Sequence, residues 1–190
     1  MKKDIAKLEA ELERLKKLVY FDELTDVLNR RGFNEEASKA FRAVSFGRKT
    51  IERRIGFRIP FSLLFLDLDD FKKINDKYGH EAGDKVLTTV AKLIKNSLRS
   101  NDIVTRWGGE EFVAALVGCD SEAAVKVAEK LRVDIEEKEI DYKGKKICLT
   151  SSIGVISLGN EKNLVELVDR ADQAMYEAKK KGKNRVVCIK

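Results

Sequence analysis

Cysteine, proline, histidine and tryptophan are all scarce in these 190 residues, which hold three, one, one and one of them. Cys119, Cys148 and Cys188 are odd in number and widely spaced. That spacing excludes a disulfide framework or a zinc site and reads as buried small hydrophobes in a reducing compartment. The longest apolar stretch, residues 59–66, is interrupted by Pro60 and Ser62 and falls well short of the ~20 residues of a membrane span. A charged-then-apolar leader with a small-residue cleavage site is also missing, so the expectation is a cytoplasmic protein. Repeats and low-complexity segments are absent. The one histidine, His80, stands beside Tyr78 and Gly79 and on its own reads as structural.

What is present is an ordinary globular composition. Hydrophobic residues at 43% and charged residues at 37% exclude both disorder and membrane embedding. The length suits one domain of ~150–170 residues plus an appendage. A net charge of +6, from 38 Lys+Arg against 32 Asp+Glu, permits an anionic partner without choosing between nucleic acid, nucleotide and lipid.

Residues 1–21 form the appendage. Ile5, Leu8, Leu12, Leu15 and Val19 follow the 3, 4, 3, 4 rhythm of a left-handed coiled coil, with Glu and Lys between them. Two readings stand: a dimerising stalk, or an amphipathic helix packed on its own domain. Thr25 and Asn29 are turn and cap formers, so the first helix should end there and a second should begin near Arg30. The second helix is expected to run through Phe41 and Val44, as far as Arg54, before Gly56 and Pro60. Residues 61–67 read as a buried central strand, residues 70–78 and 82–98 as helices. Gly108-Gly109 marks a hairpin between residues 102–107 and 110–117. A helix over 122–139, a strand over 146–158, a helix over 163–181 and a strand over 185–189 complete the chain. This order suits an α+β fold with a mixed, largely antiparallel sheet carrying helices on its faces.

Acidic residues gather at two expected strand ends. Asp67, Asp69 and Asp70 close the apolar run, and Glu110 and Glu111 follow the Gly-Gly turn. Neighbouring strands would bring these carboxylates to one sheet edge, where a divalent cation with phosphate oxygens would relieve their repulsion. The alternative is a solvated acidic loop. Residues 68–71 form a strand-to-helix turn whose amides can meet phosphate. Asn75 and Asp84 offer the acceptors and donors that match a guanine edge. Lys179 and Lys183, four apart, are expected on one helix face within reach of a triphosphate tail; Lys180 reads as a solvated helix end.

Arg106-Trp107-Gly108-Gly109-Glu110-Glu111-Phe112 resembles the signature of the GGDEF family of bacterial diguanylate cyclases, in its GGEEF form. Residues 22–33, 67–76, 78–84, 152–155, 171–179 and 182–185 agree with that family in order and spacing. The resemblance covers residues 22–190.

That resemblance implies a palm-like, nucleotidyl-cyclase-like five-stranded sheet flanked by helices, and condensation of two GTP into cyclic di-GMP with release of two pyrophosphates. It implies that Asp67, the Leu68 carbonyl and Glu110 hold Mg²⁺ (or Mn²⁺), a pair of ions for each GTP, with Glu111 as a helper and Glu110 as the catalytic group. The GTP contacts it implies are Asp69, Asp70, Phe71, Asn75, His80, Asp84, Lys179 and Lys183. Lys183 stands where the family more often has Arg, so the charge is kept and the bidentate fork lost. Arg99-Ser100-Asn101-Asp102 matches the family's Arg-x-x-Asp product-inhibition site, where Arg99 would fork onto cyclic di-GMP and Asp102 would accept from guanine. The implied assembly is a homodimer through the stalk, with no nucleic acid partner and no membrane segment. Competing classes are a cyclic di-GMP receptor without catalysis, which would not need Asp67, Glu110 and Glu111, and a coiled-coil scaffold with an inert domain. A cyclase making a mixed GMP–AMP product is disfavoured by Asp84. The basic extension with Arg48, Lys49, Arg53, Arg54 and Arg58 reads as a longer helix.

Overall fold

The computed structural model describes residues 2–55 and 59–189, and side chains outside 1–4, 6, 46–58 and 190. Helix α1 (Lys2–Tyr20) leads through a turn into α2 (Arg30–Ile55). That length bears out the longer helix, while the extension's basic side chains lie outside the described residues. Next come β1 (Phe61–Leu68), α3 (Phe71–Tyr78), α4 (His80–Ser97), β2 (Ile103–Gly108) and β3 (Glu111–Val117). Then follow α5 (Ser121–Glu136), β4 (Ile140–Tyr142), β5 (Lys145–Ile147), β6 (Ser151–Ser157), α6 (Leu164–Lys180) and β7 (Val186–Ile189).

The main sheet has five strands in the order β2-β3-β1-β6-β7. Strand β1 lies at its centre, antiparallel to β3 and β6, and every one of its residues is buried. A mostly apolar run, with Ser62 and Asp67 as its polar members, suits a strand covered on both faces. Side chains alternate across it. Leu64, Leu66 and Leu68 join the core under α4 and α5, while Leu63 and Phe65 join Phe33, Phe41, Leu167 and Met175 under α2 and α6. Asp67 continues the second set, so parity alone sends its carboxylate to the α6 face. Strand β7 runs parallel to β6, a pairing that needs a crossover, and α6 supplies it. Gly154 lets α6 approach: a Cβ there would stand 2.1 Å from the Ala171 carbonyl oxygen and 2.3 Å from the Met175 nitrogen.

Caps fall where polar residues precede helices. Asn29 Oδ1 accepts from Gly32 N at 2.9 Å, and Asn163 Oδ1 accepts from Glu166 N at 2.9 Å, each satisfying a first-turn amide.

Three expectations are corrected. The single strand over 146–158 is two: β5 pairs with β4 in a separate hairpin around Lys143 and Gly144 (φ 52 and 76), and residues 148–150 link it to β6. Of the cysteines, only Cys119 is buried; Cys148 and Cys188 are exposed. Lys183 lies beyond α6 in a left-handed turn (φ 62), so it shares no helix face with Lys179. Among the described residues no helix is long and apolar enough to cross a membrane.

Candidate nucleotide and metal site

The β1 and β3 ends meet as their pairing requires, with Asp67 opposite Glu111. Asp67 is buried, and its Oδ2 lies 2.7 Å from Lys179 Nζ. Burial pushes the Asp67 carboxyl above its ordinary value; the Lys179 ammonium pulls it back, and Glu110 and Asp69 add to the rise. Glu111 is raised as well, by burial and then by Asp67 and by Asp172 of α6. The site therefore concentrates carboxylates around one lysine. Oxygen donors in excess of local positive charge suit a hard divalent cation. Among the described residues, however, no group of three or more ligating side chains stands ready-made around one point, so main-chain and phosphate oxygens would have to complete the set.

Arg106 holds the Gly-Gly turn in place. Its Nε donates to the Gly109 carbonyl at 2.9 Å, and its NH1 donates to both oxygens of Asp22 at 3.3 Å. Gly109 needs its freedom, because its φ is 46. Asp22 also accepts from Thr25 N at 2.9 Å and Thr25 Oγ1 at 2.6 Å. Burial opposes ionisation of Asp22, yet Thr25 and Arg106 together hold its carboxyl below the ordinary value. The turn behind α1 and the turn before Glu110 are thus one hydrogen-bonded unit. Residue type at Asp22 and Arg106 gave no sign of this pairing.

The neighbouring carboxylates Asp69 and Asp70 separate. Asp69 is buried and accepts from Thr150 Oγ1 (2.7 Å), Ser152 Oγ (2.7 Å) and Asn184 N (3.0 Å). The protein's own donors thus hold both of its oxygens. Asp70 takes a left-handed backbone (φ 56) at the start of α3 and makes no side-chain cap. Its Oδ1 pairs with Lys183 Nζ at 2.9 Å and Lys73 Nζ at 3.0 Å, which hold its carboxyl low. The first amides of α3 lie next to it, at the helix start. Phe71 points into the core, so only its main chain can serve a ligand.

Asn75 lies half-buried on α3 and Asp84 exposed on α4. Gly83 makes room for Asn75: a Cβ at 83 would lie 2.0 Å from Asn75 Oδ1. His80 is the exposed first residue of α4. Arg99 and Asp102 line a cavity of about 510 Å³ with Lys95, Leu98, Phe21 and Leu28. Asp102 Oδ2 accepts from Arg99 N at 3.0 Å, closing the four-residue turn, and the Arg99 side chain is exposed. The cavity reaches the segment that follows α1, which the Arg-x-x-Asp pattern did not foretell.

Comparison with known proteins agrees with this arrangement. The family described as "Diguanylate cyclase, GGDEF domain" matches residues 19–185. Diguanylate cyclase A of Treponema denticola is 50% identical over 130 residues, covering 68% of this chain and 35% of that protein. Diguanylate cyclase DgcM of Escherichia coli is 36% identical over 175 residues, covering 92% of this chain and 40% of that protein. The chain thus spans between 35% and 40% of the length of these two curated relatives. The coiled coil and GGDEF domain of DgcB from Caulobacter crescentus, solved with c-di-GMP, superposes with a TM-score of 0.86 at 25% identity, over 99% of this chain and 95% of that one. The active GGEEF domain of a diguanylate cyclase from Vibrio cholerae superposes with a TM-score of 0.75 at 31% identity, over 85% of this chain and 97% of that one. With a family match over most of its length, and that family's sheet and turn in place, the chain belongs to the GGDEF diguanylate cyclase family.

Proposed function

We propose that residues 22–190 form a diguanylate cyclase domain that joins two GTP into cyclic di-GMP and releases two pyrophosphates. The observation that carries the reading is the double ion pair beside the Gly-Gly turn, Lys179 on Asp67 and Lys183 on Asp70. Two cations and two carboxylates waiting at a helix start are what a magnesium triphosphate can exchange with, the metal for the lysine and the phosphates for the aspartate.

In this reading Asn75 and Asp84 hold the guanine edge, Asp84 accepting from N1–H and N2–H₂, which adenine lacks. His80 is assigned to the same substrate site. Lys179 and Lys183 take the terminal phosphates, and the α3 amides near Asp70 and Phe71 face the chain of phosphates. Asp67, the Leu68 carbonyl and Glu110 would hold Mg²⁺, with Mn²⁺ as substitute and a second ion admitted by Glu111. When bound, the metal neutralises the triphosphate charge and stabilises the leaving pyrophosphate. Glu110 accepts the 3′-OH proton as the 3′-oxygen bonds to the α-phosphorus of the other GTP and the bond to the β-phosphate oxygen breaks.

Each domain has one such site, and the product carries two equivalent 3′–5′ linkages, so two domains must face each other about a two-fold axis. Residues 1–21 would supply the tether. Ile5, Leu8 and Leu12 are 51%, 70% and 54% exposed, which disfavours packing of that stripe on its own domain. A second copy would cover the stripe and keep the sites at high effective concentration. Cyclic di-GMP at Arg99 and Asp102 would then act as feedback inhibitor.

Incubation with GTP and Mg²⁺, followed by chromatography, tests this. The expected products are cyclic di-GMP and pyrophosphate, lost by orders of magnitude in Glu110→Gln and insensitive to added cyclic di-GMP in Arg99→Ala. A folded Glu110→Gln with parental turnover refutes the catalytic assignment.

A further inference from the structure

Lys183 sits in a segment that the chain's own preferences would not hold. Gly182, Lys183 and Asn184 have φ of 107, 62 and 45, and a run of left-handed residues is costly for those with a Cβ. Main-chain bonds close its near side: Gly182 N donates to the Lys179 carbonyl at 3.2 Å and Lys183 N to the Ala178 carbonyl at 3.1 Å. On the far side the holding groups are side chains from elsewhere. Asp69 Oδ2 accepts from Asn184 N at 3.0 Å. Arg132 NH1 donates to Asn184 Oδ1 at 2.9 Å, and Asn184 Nδ2 donates to Glu136 Oε1 at 2.7 Å. Arg132 is itself fixed on α5 by Glu129 Oε2 at 2.8 Å and Glu136 Oε2 at 2.7 Å. Its side chain is only 18% exposed, so this is no loose surface pair.

We propose that Arg132 and Glu136 of α5, acting through Asn184 and together with Asp69, are positioning residues that hold Lys183 in its left-handed turn for the terminal phosphates of the nucleotide. The inference rests on the reading of Lys183 as a phosphate ligand and extends it to a helix that touches no part of the nucleotide. The physical reason is pre-organisation. A lysine on a flexible loop loses conformational freedom when it binds, and a turn already fixed at three points has lost most of it beforehand. It also accounts for Asp69, whose oxygens serve β6 and this turn. The single-lysine contact gains most from such support, because it lacks the fork of an arginine.

The test is titration of the full chain with α,β-methylene GTP, whose bridge cannot release pyrophosphate, and with GMP, which lacks the terminal phosphates. Asn184→Gly keeps the left-handed backbone and removes the side-chain link. Arg132→Met keeps the aliphatic stem and removes the donors. Each should lose about tenfold in affinity for α,β-methylene GTP and stay within about twofold for GMP. Arg132→Met combined with Lys183→Ala should bind no worse than Lys183→Ala alone, because residues acting through one another are not additive. Unchanged α,β-methylene GTP affinity in both folded single variants overturns the proposal, and so do losses that multiply in the double variant. A parent that binds α,β-methylene GTP no tighter than GMP overturns the phosphate reading beneath it, and the proposal with it.

Discussion

Lys179 Nζ lies 2.7 Å from Asp67 Oδ2, the carboxylate at the inner end of the central strand. Asp67 has a side chain 6% exposed, against 32% for Lys179, so the acid carries most of the desolvation and the lysine keeps access to water. A buried carboxylate whose protonation is favoured by its surroundings costs stability whenever it is ionised. The site is built at the expense of the fold.

Asp67→Asn is therefore expected to raise stability at pH 7 by ~1 kcal/mol while abolishing cyclic di-GMP formation. The sign follows from the raised carboxyl: the penalty is present in full above its folded pKa and relieved as pH falls through it. Urea unfolding at neutral and at acid pH checks this, since the gap between variant and parent should close on acidification. A variant less stable than the parent at pH 7 contradicts the argument.

Arg106→Ala removes the joint between Asp22 and the Gly109 carbonyl. Loss of bonds from a half-buried charged donor is expected to cost ~2 kcal/mol. Asp22 titrates below its ordinary value, so its contribution is present above pH ~4 and disappears as pH falls toward the folded pKa. The variant should lose the Arg106 share of the parent's acid limb in denaturant unfolding and keep the larger share that the Thr25 hydrogen bonds supply, and Arg106→Lys should not restore the loss, because an ammonium cannot serve both partners in the guanidinium's fixed geometry.

Gly83→Ala places a methyl 2.0 Å from Asn75 Oδ1 and 3.0 Å from Phe71 Cζ. Alanine is the better helix former by ~1 kcal/mol, so α4 should survive and the Asn75 carboxamide should move. GTP affinity is expected to drop about tenfold, because a misplaced amide leaves a guanine polar edge unpaired. GMP should lose as much as GTP, in contrast to changes at Lys179 and Lys183; calorimetric titration of both ligands decides it.

Leu8→Asp with Leu12→Asp puts charges into the exposed α1 stripe. Specific activity should fall at dilute protein and recover in part at high concentration, as tethering is replaced by mass action. Sedimentation should show the parallel loss of dimer. Activity equal to the parent and independent of concentration would mean that α1 plays no part in pairing the sites.

The β1 strand, the Gly-Gly hairpin and the cap at Asn29 were legible in the sequence because each is a local matter. A mostly apolar run, two residues tolerant of positive φ, and a short polar side chain before a helix act within a few positions of themselves. The family segments were legible for the same reason, being contiguous strings. Other features had no local sign. Asp69 and Asp70 are adjacent and identical in type, yet one is buried against Thr150, Ser152 and Asn184 and the other faces Lys183 and Lys73. A left-handed residue at Asp70 and the position of β6 beside β1 made that division. The short β4–β5 hairpin escaped because three-residue strands are too brief for their alternation to stand out. Arg106 and Asp22 meet across 84 positions, and Asn184 meets Asp69 across 115. Which charge meets which over such distances depends on the order of strands in the sheet and the face each helix covers, so the sequence determined the elements and the chemistry at their ends, and the tertiary packing decided how those ends were joined.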